Sequence, residues 1–179
     1  MDAGLQLLLD ERDIRRLLAE YAHGCDRCDG ALMGSVYAAD SWDDHGVTKA
    51  AGPEFSRVMT EEIIPASCET LSHLLGQSLI EVDGDTARAE TYYVAVTLST
   101  VDGAPMCNQL GGRYVDRLER SHGAWKVKHR VCLRDWSVSL DVKADSFAHA
   151  QLTLGRRDGE DVGVALLGLA HRHSTGRFE

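Results

Sequence analysis

The sequence predicts an α+β fold in which helices from the first third of the chain cover one face of a curved antiparallel sheet. Two observations lead to this prediction. Apolar residues recur at helical spacing up to residue 65, whereas residues 72–138 alternate with a period of two. Short turns containing glycine separate the long alternating segments, which is typical of a meander of antiparallel strands. Helices followed by such a meander form one helical layer against one face of a sheet.

The first helix is predicted over residues 10–25. Asp10 is its expected N-cap, and Gly24 and Gly30 are typical of a helix that ends in this stretch. The apolar stripe that this helix would bury consists of Ile14, Leu17, Leu18, Tyr21 and Cys25.

Two shorter helices and four long strands follow. Residues 31–38 predict a second helix, residues 41–47 a strand or turn, and Pro53 begins a third helix that runs to residue 65. The strands are predicted at 72–82, 86–99, 106–120 and 124–138. The remaining residues give weaker patterns: a helix or loop at 141–151, an exposed turn at 156–161, a strand or short helix at 162–173, and a frayed end that includes His171 and His173. We therefore expect one domain over 1–140 and an extension over 141–179.

Composition excludes several function classes. The chain has 179 residues, of which 44% are hydrophobic and 26% charged, as expected for one globular domain. Its net charge of -9 argues against binding to duplex nucleic acid or to an anionic membrane surface. No apolar run approaches the roughly 20 residues that span a bilayer. The acidic start predicts no signal peptide, and the odd number of irregularly spaced cysteines predicts reduced thiols in the cytoplasm.

The stretch YAHGCDRCDG, at residues 21–30, contains the first candidate site. Its C-x-x-C pair has no second pair to complete a zinc site, and it follows a helix instead of beginning one as a thioredoxin-like pair does. We therefore expect Cys25 to belong to the core. A carboxylate at the C-terminal end of a helix opposes the helix dipole, which favours a functional role for Asp26 or Asp29.

His73 is the second candidate, at the start of the first long strand. A lone histidine among leucines is most often a core residue. If Asp26 or Asp29 holds its ring, however, the pair is a suitable general base at neutral pH.

The strands carry further candidates. Alternation in the last strand places His129 on the same apolar face as Trp125 and Val127, unless a bulge intervenes. Tyr92 and Tyr93 are adjacent, so one of them faces the concave side. Buried tyrosines there can donate a hydrogen bond to an oxyanion or serve only as good strand residues.

Motifs for other chemistries are missing or incomplete. Asp43, Asp44 and His45 resemble metal ligands, but three successive strand residues cannot all point one way. No dinucleotide or phosphate-binding loop and no serine-hydrolase elbow occurs in the sequence. The sequence thus predicts no metal and no cofactor.

Four segments together resemble the SnoaL-like branch of the NTF2-like superfamily, over about residues 8–138. They are IRRLLAEYAHGCDRCD, SWDDHG, TLSHLLGQ and GGRYVDRLERSHGAWKVKHR. This branch includes scytalone dehydratase, hexachlorocyclohexane dehydrochlorinase and bile-acid 7α-dehydratase. The resemblance implies a cone, in which a curved, mostly antiparallel sheet wraps around helices and encloses a pocket.

The resemblance also implies catalytic roles. In lyases of the branch, an aspartate at the end of the first helix orients a histidine on the first long strand, and these positions match Asp26 and His73. Dehydrochlorinase-like members have an arginine after the G-x-W-K motif, which matches Arg130. Strand alternation places Arg130 opposite His129, so either a bulge turns Arg130 inward or this correspondence fails.

The implied activity is that of a cofactor-independent lyase or isomerase acting on a hydrophobic, aromatic or polycyclic hydroxylated molecule. His129 joins Asp26, His73 and Arg130 as a candidate catalytic residue. The candidate substrate-binding residues are His45, Tyr92, Tyr114, Tyr21 and Asn108. The resemblance also implies a homodimer or homotrimer. It further implies that the C-terminal extension covers the pocket or a subunit interface. A non-catalytic ligand-binding module and a small subunit of a ring-hydroxylating oxygenase are the alternatives.

Overall fold

The first helix begins a full two turns earlier than the sequence predicts. The computed structural model describes residues 2–142 and 152–169, and helix α1 runs over Ala3–Asp26. Asp2 is its N-cap and accepts hydrogen bonds from the backbone N–H groups of Gly4 and Leu5. The prediction that Asp10 caps the helix is wrong. Asp10 lies buried within α1, where its carboxylate binds Arg120 and Trp125.

Four short helical segments complete the helical layer. The predicted third helix is interrupted by a wider π-helical turn, in which the N–H of Ile64 donates to the carbonyl of Met59. Pro65 follows directly and has no N–H for the carbonyl of Glu61, so the regular α-helical pattern cannot continue there. The segments are α2 (Gly30–Ser35), α3 (Gly52–Val58), the π-helical turn (Met59–Ile63) and α4 (Ile64–Ser67).

The sheet has six strands and confirms the four that the sequence predicts, each a few residues longer. They are β1 (Tyr37–His45), β2 (Thr48–Ala50), β3 (Thr70–Asp83), β4 (Thr86–Val101), β5 (Ala104–Ser121) and β6 (Ala124–Asp141). Their order is β2-β1-β6-β5-β4-β3. Only β1 and β6 pair in parallel; the other neighbours are antiparallel. The sheet is curved and unclosed, which confirms the predicted α+β class.

Helix α1 crosses the concave face of this sheet and packs against β3 and β6. Its predicted apolar stripe is buried, including Cys25 with only 4% of its surface exposed, so Cys25 is a core residue as predicted. Gly24 allows α2 to pack tightly, because a Cβ atom at this position would lie 2.7 Å from the backbone nitrogen of Met33. This close contact fixes where α1 ends, and therefore where Asp26 lies.

A β-bulge in β6 reverses the side-chain alternation that the sequence predicts. Val127 of β6 pairs with Leu118 of β5, and His129 of β6 pairs with Arg117, the β5 residue adjacent to Leu118. Lys128 lies between the two pairs and is therefore an extra residue in β6. Beyond the bulge, Arg130 faces the interior and is fully buried. His129 lies on the opposite, outer face, and its predicted position on the apolar face is wrong. The extra residue shifts the period-two pattern by one.

The described part of the C-terminal extension packs against the helical layer. Of the strand or short helix predicted for residues 162–173, the structure has a helix, α5 (Val162–Leu167). Val164 and Leu169 form a small apolar cluster with Leu32. Arg157 donates a hydrogen bond to the carbonyl of Cys68. The predictions for residues 143–151 and for His171 and His173 lie outside the described residues. Within residues 2–142 and 152–169, no helix is both long and apolar enough to cross a membrane.

Candidate active site

Asp26 and His73 form a close pair where α1 ends against the start of β3. The Nδ1 atom of His73 lies 2.6 Å from Oδ1 of Asp26, and the backbone N–H of His73 donates to Oδ2 at 2.9 Å. Both side chains are largely buried, with 7% and 13% of their surface exposed. The predicted contact between these residues is therefore present, and each carboxylate oxygen has its own donor.

The pairing determines which nitrogen of His73 is available. Because an ionised carboxylate only accepts hydrogen bonds, Nδ1 carries the proton in the neutral ring and Nε2 keeps its lone pair. Among the described residues, Nε2 has no hydrogen-bond partner. A neutral imidazole held this way is able to accept a proton, with Asp26 stabilising the resulting cation.

Asp29, the other candidate partner for His73, has a structural role at the start of a helix. Asp29 is the N-cap of α2, and its side chain accepts the backbone N–H of Leu32 at 2.8 Å. Cys28, the other half of the C-x-x-C pair, is half-buried, and all five cysteines are free thiols. Of the two aspartates that the sequence left open, Asp26 is the one that contacts His73.

Two stacked tyrosine rings extend from His73 into the interior, and we refer to Tyr93 and Tyr114 as the aromatic wall. Their ring centroids are 4.4 Å apart with an interplanar angle of 14°. The ring centroid of Tyr93 lies 6.2 Å from that of His73, and the ring centroid of Tyr114 lies 6.0 Å from that of His45. The aromatic wall therefore has one histidine at each end.

The structure places Tyr93, not Tyr92, on the concave face. Tyr92 is 41% exposed on the outer face, so its predicted role in substrate binding is wrong in this position. The sequence did contain the deciding signal. Arg88, Glu90 and Tyr92 are two residues apart along β4 and therefore lie on the same face of the strand. Charged residues at alternating positions indicate the face that meets water.

Arg130 is a fully buried cation beside the aromatic wall. Its guanidinium donates to both carboxylate oxygens of Asp116, at 2.7 and 2.8 Å, and its Cζ atom lies 4.1 and 4.4 Å from the ring centres of Tyr21 and Tyr114. Burial alone would lower the pKa of Arg130, but the charge and hydrogen bonds of Asp116 raise it, so the side chain stays cationic. Its buried Nη1 atom has no hydrogen-bond partner among the residues that the structure describes.

A second acid–histidine pair lies on β1. Asp43 accepts hydrogen bonds from Nδ1 of His45 and from the hydroxyl of Tyr37. The Nε2 atom of His45 lies 3.3 Å from the hydroxyl of Tyr21, and the imidazole stacks on Phe55 with centroids 4.6 Å apart. Burial by itself would lower the pKa of His45, but the hydrogen bond to Asp43 outweighs it and the pKa rises to about 9.

Strand alternation explains why Asp43 and His45 meet. The two residues are separated by one position on β1 and therefore share its inner face, whereas Asp44 points outward to an ion pair with Lys49. Sequence reasoning named His45 but gave no role to Asp43. In the part of the chain that the structure describes, no group of three or more His, Cys, Asp or Glu side chains is arranged to hold a metal ion.

Asn108 lies on the concave face but away from the tyrosines. Its side chain contacts the hydroxyls of Thr97, Ser99 and Ser139. It lines a groove of about 370 Å³ together with Cys68 and Leu110. Leu110 pairs with Ala95, which pairs with His73, so this wall of the groove is two strands away from His73 in the sheet.

Comparison with solved structures identifies proteins of the same fold. A candidate scytalone dehydratase from Novosphingobium aromaticivorans DSM 12444 is 21% identical, with a TM-score of 0.65, and the match covers 76% of this chain and 91% of that one. A type 2 hexachlorocyclohexane dehydrochlorinase is 16% identical, with a TM-score of 0.70 over 84% and 100% of the two chains. The D26N form of Rv3472, a protein of unknown function from Mycobacterium tuberculosis, is 19% identical, with a TM-score of 0.65 over 97% and 94%. At these identities the likeness shows the fold alone.

Sequence comparison identifies the family directly. No curated protein matches the chain. The model of the SnoaL-like domain matches residues 6–131, which is most of the chain and includes every residue of the two acid–histidine pairs and the aromatic wall. The chain therefore belongs to the SnoaL-like domain family of the NTF2-like superfamily.

Proposed function

We propose that the protein is a cofactor-independent lyase, a dehydratase or a related eliminating enzyme, that uses His73 as its general base. The observation that carries the proposal is the contact between Asp26 and Nδ1 of His73, which leaves Nε2 as a free acceptor beside an aromatic interior. Family members with this fold include dehydratase-like and dehydrochlorinase neighbours, and both names describe eliminations.

In the proposed reaction, Nε2 of His73 takes a proton from a carbon of the substrate. The electron pair of the broken C–H bond forms a new double bond, and the bond to the leaving oxygen breaks. Asp26 stabilises the imidazolium until the proton passes to water. The free Nη1 donor of Arg130 supplies positive charge near oxygen atoms that become negative.

The proposed substrate is a small, flat, hydrophobic molecule with a hydroxyl or a similar leaving group. The ring of Tyr93 lies beside that of His73, and an aromatic substrate near His73 would gain from packing against it, since aromatic rings interact favourably at separations of about 4.5–7 Å. The groove around Asn108, on the same face of the sheet, is lined by apolar and hydroxyl-bearing residues, which suits a ring system that carries a few oxygen atoms.

The test uses 5-nitrobenzisoxazole, a flat bicyclic probe that opens when a base removes its single acidic C–H proton. Replacing His73 with Ala is expected to lower kcat/KM by about 10²–10⁴-fold, because general-base catalysis contributes that much. Asp26→Asn should lower it too, since the amide cannot stabilise the cation. Absorbance of the phenolate product gives the rate.

The matched control is His129→Ala, which removes a histidine from the outer face of β6 and should leave the rate unchanged. Equal rates for wild type, His73→Ala and Asp26→Asn would contradict catalysis by this pair. In that case the fold would act as a ligand-binding module instead.

We further propose that the protein forms a homodimer or homotrimer through the outer face of the sheet. Six large apolar residues on this face are between 40% and 59% exposed in the single chain: Leu74, Tyr92, Leu98, Trp136, Val138 and Leu140. A contiguous apolar surface of this kind is typical of an interface.

The free state of all five cysteines supports a location in the cytoplasm.

Trp136→Asp is expected to yield a monomer, because a carboxylate at the centre of this face would be buried without a partner. Light scattering after size-exclusion chromatography measures the mass. Leu8→Asp is the control, since Leu8 is 66% exposed on α1, away from the sheet face. A wild-type protein that elutes as a monomer would contradict the proposal.

A further inference from the structure

The Asp43–His45 pair has no role in the proton abstraction assigned to His73, yet it lies at the other end of the same aromatic wall. Both histidines are on the concave face, and Tyr93 and Tyr114 stand between them. A substrate that lies along the edges of both rings would therefore have a histidine near each end. Their carboxylate partners differ in burial: the side chain of Asp43 is 0% exposed and that of Asp26 is 13% exposed.

His45 is built to be cationic. The groups that face its ring are Asp43 from β1, Tyr21 from α1, Tyr114 from β5 and Cys132 from β6, while α3 contributes the apolar ring of Phe55. Of these groups, Asp43 is a fully buried carboxylate, and the hydroxyl of Tyr37 holds it in place. Because burial raises the pKa of both Tyr21 and Tyr114, their hydroxyls keep their protons at neutral pH. The charge that the imidazolium balances is therefore that of Asp43.

Apart from Asp43, the polar contacts of the His45 ring are with the hydroxyl of Tyr21, at Nε2, and with the thiol of Cys132. The distance from Nε2 to the hydroxyl of Tyr21 is 3.3 Å, longer than the usual 2.7–3.2 Å of an N–H···O hydrogen bond. The side chain is also 18% exposed, the largest exposed fraction among the four members of the two acid–histidine pairs. A leaving oxygen could therefore replace the tyrosine as the acceptor of the Nε2 proton.

We propose that His45 is the general acid of the elimination, and that Asp43 and Tyr37 position it and keep it protonated. This inference rests on the proposed function. As His73 removes the proton from carbon and the bond to the leaving oxygen breaks, Nε2–H of His45 gives its proton to that oxygen, which departs as water or an alcohol. Proton transfer from His73 to solvent and from solvent to His45 then restores both rings. The two acid–histidine pairs thus act as base and acid.

The test compares two probes that differ in their need for an acid. Unsubstituted benzisoxazole opens to a basic phenolate, whereas the 5-nitro compound opens to a stabilised phenolate that leaves without protonation. His45→Gln should slow the unsubstituted probe by about 10²-fold, the usual lower range for acid catalysis, and the nitro probe by no more than about threefold. His73→Ala should slow both probes.

The outcomes separate this inference from the proposed function. Equal slowing of both probes by His45→Gln, or slowing of neither, would overturn the acid role while leaving His73 as the base. Equal rates for His73→Ala and wild type would instead overturn the proposed function. Asp43→Asn keeps the histidine, so it should move the alkaline limb of the pH–rate profile for the unsubstituted probe to lower pH. An unmoved limb would contradict the positioning role of Asp43.

The protonation state is also measurable without any substrate. NMR of isotope-labelled histidine side chains should show that the imidazolium of His45 persists at pH 8, which is above the ordinary histidine pKa of about 6.5. That signal should be missing in His45→Gln and should titrate at lower pH in Asp43→Asn. A His45 ring that is already neutral at pH 7 would overturn the inference.

Discussion

Arg130→Met is expected to destabilise the fold by about 3–5 kcal/mol, which is a large share of the total stability of a domain of this size. The substitution preserves much of the side-chain volume but leaves Asp116 as a buried carboxylate without a cation. It also removes the guanidinium that lies against the rings of Tyr21 and Tyr114. Urea unfolding at pH 7, followed by circular dichroism, measures the change.

A surface ion pair provides the control for this prediction. Arg113 binds Asp135 and Glu90 but is 29% exposed, so Arg113→Met should cost less than about 1 kcal/mol. Replacing both partners of the buried pair, in Arg130→Met with Asp116→Leu, should recover much of the loss, because no unpaired charge then remains. A loss below about 1 kcal/mol in Arg130→Met alone would show that Asp116 finds another partner or is protonated.

The free energy of unfolding is expected to fall by about 3 kcal/mol between pH 6.5 and pH 9 through His45. Its pKa is about 9 in the folded chain and about 6.5 when unfolded. Below the unfolded pKa the folded state has the full benefit of the Asp43–His45 pair. The benefit is lost as pH rises through the folded pKa, at about 1.4 kcal/mol per pH unit.

Urea unfolding at several pH values measures this dependence. In His45→Gln the slope between pH 6.5 and pH 9 should be flatter by the same amount, since glutamine does not titrate. The other ionisable groups are common to both proteins, so their contributions cancel in the difference. Parallel stability curves for wild type and His45→Gln would show that His45 has an ordinary pKa.

Local patterns were enough to predict the order of elements and the long strands. The turns at residues 83–85, 101–105 and 121–124 contain glycine between alternating segments, and the structure has a hairpin at each. Helix boundaries were less predictable. The first two turns of α1 expose Leu5 and Leu8, so no apolar stripe marks them, and only the N-cap Asp2 indicates the start.

The Asp26–His73 pair was predicted from residue type, from the end of a helix and from a family resemblance. The distance of 2.6 Å between Nδ1 of His73 and Oδ1 of Asp26 depends on the angle at which α1 crosses the sheet and on the residue at which α1 ends. Local sequence does not specify this crossing angle. Tyr93 could have been chosen over Tyr92 from the parity of Arg88 and Glu90. The role of these residues in catalysis stays a prediction.

By itself, the amino-acid sequence determined the class of the fold, the order of its helices and strands, and the side chains that are candidates for catalysis. It could do so because hydrophobic periodicity and turn residues act over a few neighbouring positions. Only the tertiary structure decided which of those residues meet. The extra residue Lys128 turns Arg130 inward and His129 outward, and the parallel pairing of β1 with β6 brings His45 beside Cys132 and Tyr114. Bulges and strand order arise from packing between segments distant in the chain, so no local pattern records them.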